Sequence, residues 1–129
     1  MTYEEYVKLG GQLTEEEFKK YLPKTEALLL GVIAEQIPYW LVKPTLEEYE
    51  IDFSKILYLE IDFIDENGGL SVFSGQSAFQ FKSASSEGIS WEINTDKVED
   101  YHGIPLCPLA MTLLKTELLI SGLAVAPAW

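Results

Sequence analysis

The chain opens on two helix starts separated by a helix stop, and this punctuation constrains the fold more than any other feature. Thr2-Tyr3-Glu4-Glu5 begins the first segment, Leu9-Gly10-Gly11 ends it, and Thr14-Glu15-Glu16-Glu17 begins the next. Both starts have the form of a capping box. A Thr hydroxyl accepts from an orphan amide three residues on, and the Glu there reaches back to the cap amide. Acidic first turns also suit the positive end of a helix dipole.

The same reading extends along the chain. It predicts a short helix over 3–9, a second over about 15–21, and a longer one opening at Pro23, because proline suits a first helical turn and not an interior. Leu28, Leu29, Val32, Ile33 and Ile37 form one apolar stripe of that longer helix. Pro38 and Pro44 bracket a break that holds Tyr39, Trp40 and Leu41. Thr45-Leu46-Glu47-Glu48 reads as a third capping box, opening the longest element. Within that element Leu57, Leu59, Ile61 and Phe63 alternate as in a strand. Phe53, Ile56, Leu57, Glu60, Ile61 and Ile64 fit one helical face. The cap, the lack of Pro or Gly before Gly68, and Asn67-Gly68-Gly69 as a stop favour a helix over 46–66.

Beyond Gly68 the composition changes. Residues 70–78 read as a loop, and 79–83 and 89–93 alternate around a turn at Ser85-Ser86-Glu87-Gly88, as in a two-stranded hairpin. A lone hairpin is marginal in water, so this one is expected to pack on the helices or on a neighbouring subunit. Residues 94–103 read as polar loop. Pro105 or Pro108 opens a last helix through Leu109, Leu113, Leu114 and Leu118, and an apolar tail ends in Pro127-Ala128-Trp129. The expected fold is one domain over 1–129, mainly α. It is a compact helical bundle with a small β-hairpin between the long central helix and the last helix.

Composition narrows the function. Hydrophobic residues make up 47% of 129 residues, enough for one core. No apolar run reaches the roughly 18 residues of a membrane helix, and the N-terminus lacks a basic stretch followed by an apolar run. A protein made and kept in a cytoplasm is expected. The net charge is −12, and all nine basic residues are lysines. Without arginine, the fork that grips phosphate and guanine edges is missing, which argues against direct nucleic-acid binding.

Chemistry finds little support. Cys107 is single, so it forms no internal disulfide, and it is expected to be a buried small hydrophobe. His102 is read as a surface loop residue and not as the partner of a nucleophile. Asp62, Asp65 and Glu66 read as a solvated helix face, because the alternating ligands and central Gly of a Ca²⁺ loop are absent. No zinc cluster and no phosphate-binding loop are present. The chain is expected to be no enzyme and to need no cofactor or metal. The aromatics Trp40, Phe79, Phe81, Trp91 and Trp129 stand out as candidate protein-interface anchors, since Trp and Tyr are enriched in that role.

Residues 1–6, Leu9-Gly10-Gly11 and Glu16-Glu17-Phe18 resemble the opening of small head–tail connector proteins encoded by tailed phages and prophages of Gram-positive bacteria. The likeness continues at Pro23-Lys24-Thr25-Glu26-Ala27, at 65–69, at 81–90, and at 118–123. The apolar 37–41 stretch departs from relatives, which are often basic there and carry Arg. The resemblance implies a mainly helical, non-enzymatic virion protein that forms a ring, often twelvefold, below the portal. Its partners would be the portal protein and the tail or stopper proteins, with self-association only on the portal template. It would act in the virion, after assembly in the host bacterial cytoplasm. DNA would pass nearby, past an acidic wall, without being specifically bound. The alternative is a small acidic regulatory or DNA-mimic protein that binds a basic protein partner.

Overall fold

A computed structural model describes residues 1–74 and 100–124. Within them the protein is mainly helical. Helix α1 spans Tyr3–Leu9, α2 spans Glu15–Gln36, α3 spans Ser54–Glu66 and α4 spans Pro108–Ile120. Three 3₁₀ segments, Tyr39–Leu41, Leu46–Tyr49 and Gly69–Ser74, fill connections.

Both N-terminal capping boxes form. Thr2 Oγ1 accepts from the Glu5 amide at 3.2 Å, and Thr14 Oγ1 accepts from the Glu17 amide at 3.3 Å. The two Glu side chains return the bond to the Thr2 and Thr14 amides. Gly10 ends α1 in the left-handed region at φ 111°, which glycine enters at no steric cost. Gly11 is required for a different reason. A Cβ there would stand 2.1 Å from the ring of Tyr6.

Helix α3 sits at the centre and packs on α1, α2 and α4. It buries Ile56, Leu57, Ile61 and Ile64, which resolves the strand-or-helix ambiguity in favour of the helical face. Facing them, α2 contributes Phe18, Leu28, Leu29, Val32 and Ile33, and α4 contributes Ala110, Met111, Leu114 and Leu118. The resulting core is one contiguous cluster, which is the dominant favourable term for a chain of this size.

Three expectations are corrected. First, α2 does not break at Pro23. It runs through it as one helix of 22 residues and is the longest element. Pro23 and Lys19 are both exposed, so the carbonyl that loses its helical donor lies where water can take its place. Tyr21, Thr25, Leu28 and Leu29 bury the helix on both sides of the proline, and this packing outweighs the local penalty. Second, α3 begins at Ser54 and not at Leu46. Glu50 is left-handed at φ 56° and stops the 46–49 turn. Thr45 Oγ1 meets the Glu48 carboxylate at 3.0 Å but caps no amide. Forming this turn buries Leu46 and Tyr49, and Phe53 is buried before α3 begins. The C-terminal end at Glu66, with glycines following, is as expected.

Third, part of the expected polar loop is paired. Strands β1, Asp100–Tyr101, and β2, Ile104–Pro105, form a small antiparallel sheet with Asp100 opposite Pro105 and Tyr101 opposite Ile104. His102 at φ 52° and Gly103 at φ 88° make the tight turn, a geometry that matches strand twist. The Asp100 carboxylate accepts from the Gly103 amide at 2.8 Å and locks it. This sheet lies between the central and last helices, in the order expected. The hairpin read at 79–93, part of the 70–78 loop, and residues 94–99 fall outside the described residues. Residues 69–74 of the stretch after α3 are 3₁₀. Pro108, not Pro105, opens α4.

Candidate functional site

Three polar groups are built into the helix contacts. Tyr6 is fully buried, and its hydroxyl accepts from the Gln12 and Leu13 amides, both at 3.0 Å. The same hydroxyl donates to Asp62 Oδ1 of α3. One turn further along α3, Asp65 accepts from the Tyr21 hydroxyl at 2.9 Å. Tyr3, Tyr6 and Phe18 pack with ring centroids 4.9 to 6.0 Å apart. Burial, followed by the bond to Asp62, holds the Tyr6 phenol far above its ordinary value, and burial with Asp65 does the same for Tyr21. Burial also raises Asp62, against the lowering effect of the Tyr6 bond. These phenols stay protonated and spend their protons on structure. Asp65 and Glu66 are exposed, as the solvated-face reading has them, whereas Asp62 is half-buried, and Asp62 and Asp65 each also hold a tyrosine hydroxyl. Their spacing of three along one helix, opposite Tyr6 and Tyr21, is the signal a sequence could offer.

Glu60 is the third group. It is fully buried on the inner face of α3. Oε1 accepts from the Cys107 amide at 2.8 Å, just before α4, and Oε2 has no partner among the described residues. Burial pushes its carboxyl up to about 8, against the lowering effect of the Cys107 bond. Glu60 thus ties α3 to the residue that precedes α4 through one buried hydrogen bond.

The residues weighed for catalysis are dispersed in role. Cys107 is buried, His102 is exposed at the tip of the β-turn against the Tyr101 ring, and Asp100 is engaged by the turn backbone. Among the described residues no group of three or more His, Cys, Asp or Glu could hold a metal ion. No helix among them is long and apolar enough to cross a membrane.

Of the candidate interface aromatics, Trp40 is described, while Phe79, Phe81, Trp91 and Trp129 lie outside the described residues. Trp40 is 69% exposed and Tyr39 84% exposed. Their rings meet edge-on at 5.2 Å. The turn that presents them is fixed below. The Leu41 amide donates to the Pro38 carbonyl at 2.9 Å, Leu41 is half-buried against the core, and the Lys43 amide donates to the Tyr49 hydroxyl at 2.9 Å. Two large aromatics are thus held in water on a supported turn. On α4, Leu109 and Ile120 are also exposed, at opposite ends of the helix and about 16 Å apart by its rise, with Thr112 and Thr116 exposed between them. Sequence reading singled out Trp40 but not these exposed residues of α4.

No family model matches the chain, and no curated protein and no solved structure is significantly similar to it.

Proposed function

We propose that this chain is a virion structural protein, a head–tail connector or adaptor that forms a ring below the portal and extends the DNA channel toward the tail. The observation that carries the reading is the exposed Tyr39–Trp40 pair held on a supported turn after α2, with further exposed apolar residues, Leu109, Leu119 and Ile120, on the separate helix α4. A head-to-tail ring needs two different adhesive surfaces on each copy. Scattered single apolar residues need no such explanation, but a supported aromatic pair does. The resemblance of the helix punctuation to connector proteins agrees with it, as does a net charge of −12 without arginine. Such a wall lets DNA slide, whereas Lys and Arg would hold its phosphates. The role needs no cofactor and no catalytic step.

Trp40→Ala is the direct test. Because the side chain stands mostly in water, thermal unfolding of the isolated variant should match the parent within about 0.5 kcal/mol. Assembly with the portal protein of the same phage, followed by electron microscopy of the mixture, should lose its rings or need on the order of thirtyfold more protein, as for an interface anchor worth roughly 2 kcal/mol. Undiminished ring formation by the variant would remove Trp40 from the interface.

A further inference from the structure

Helix α2 carries a second apolar stripe on the side turned away from its buried face. Pro23, Ala27 and Leu30 recur there at i, i+4 and i+7, the first two exposed and the third half-buried. The 46–49 turn lies alongside. Between them is an open concavity of about 350 Å³, floored by Pro23, Ala27, Leu30 and Leu46 and edged by Glu26 and Glu47. A second concavity of about 140 Å³ shares Glu26, Leu46 and Glu47 and continues to Ile51, Asp52 and Leu57. The two make one groove across Leu46.

The charge on this groove has one sign along most of its length. Glu26, Glu47 and Asp52 border it, and no lysine is among the described residues that line it. The Ser54 amide holds the Asp52 carboxyl below its ordinary value, with a smaller contribution from the amino terminus. Met1 lines that same end. Glu26 and Glu47 face the larger, apolar part.

We propose that this groove docks a segment of another protein that presents an apolar side chain flanked by Lys or Arg. The apolar floor takes the side chain, and Glu26 and Glu47 take the cations through charge-assisted hydrogen bonds, for which the Arg fork is best suited. Charge complementarity of this kind sets specificity and speeds encounter. A second copy of this chain is the poorer occupant, since each copy carries −12 and has no arginine to offer. The inference does not depend on a virion role, because neither Trp40 nor any residue of α4 lines the groove.

The test is selection of a randomised peptide library on the immobilised full chain, followed by titration of the most enriched peptide into isotope-labelled protein by NMR. Enriched peptides should share an apolar residue beside Lys or Arg, and shifts should centre on Ala27, Leu30 and Glu47. Ala27→Arg and Glu47→Lys should each weaken binding about tenfold or more. Glu16→Lys, which changes net charge equally on an exposed site outside the groove, should leave most of the affinity. Several outcomes overturn the proposal. One is no enrichment, or an acidic or uncharged consensus. Another is a loss as large in Glu16→Lys as in Glu47→Lys, which would mean diffuse attraction to an acidic surface. A third is concentration-dependent shifts in the groove without peptide, which would assign it to a second copy.

Discussion

Raising the pH from about 5 to about 9 is expected to destabilise the protein by several kcal/mol, with Glu60 as the main cause. Burial lifts its carboxyl to about 8 from an ordinary 4.5. Below about pH 4.5 folded and unfolded chains both hold the proton, and the fold keeps its full stability. Between these values the unfolded chain releases the proton while the folded one retains it, so stability falls by about 1.4 kcal/mol per pH unit. Above about 8 the folded state must carry a buried charge and the loss levels off, at roughly 5 kcal/mol in total. Asp62 is also raised by burial and adds to the same trend. Glu60→Gln separates the contributions. Its amide oxygen can still accept from the Cys107 amide, but nothing titrates. Urea unfolding across this range should show the variant gaining on the parent as pH rises. Parallel stability curves for the two proteins would mean that the Glu60 carboxyl is not held protonated by the fold.

The second large effect is expected at Tyr6. Its hydroxyl joins the α1–α2 connection to α3 by accepting from the Gln12 and Leu13 amides and donating to Asp62. Tyr6→Phe leaves both amides and a partly buried carboxylate without that partner. Unmade bonds of buried groups cost about 1–3 kcal/mol each, and relaxation with water entry should reduce the sum to about 3 kcal/mol. Tyr21→Phe removes one bond, to a carboxylate on an exposed residue, and should cost about 1 kcal/mol. Equilibrium urea unfolding of the two variants at neutral pH distinguishes them. Equal costs would show that Tyr6 contributes packing and not a hydrogen-bonded junction.

How much of this was legible in the sequence depended on range. The Thr2 and Thr14 caps and the Gly10 stop are decided by neighbours within four residues, and the residues themselves announce them, while the start of the last helix was readable only as Pro105 or Pro108. The inner face of α3 was readable as a period, with Glu60 already on it. Whether a carboxyl on an apolar face is buried depends on what packs opposite, here Cys107, 47 positions away. Pro23 misled for the same reason. Its local penalty is visible in sequence, while the core contacts on either side that outweigh it are not. Thr45 misled because a capping-box pattern does not show that Leu46 and Tyr49 gain more from a 3₁₀ turn that buries them. Trp40 was legible as an aromatic in a proline-bracketed break. The acidic groove was not, because its two walls come from α2 and from the 46–49 turn. Which residues of α4 are exposed emerges only once its inner face is known.

The central claim, the proposal that this chain is a component of a head–tail junction, is tested most directly by quantitative mass spectrometry of purified phage particles released from the source strain. The ring role predicts about one copy of this chain for each portal subunit, as for a ring matched to its template. Complete absence from intact, infectious particles would contradict it, and would turn attention to the acidic regulatory reading and to a basic partner in the cytoplasm.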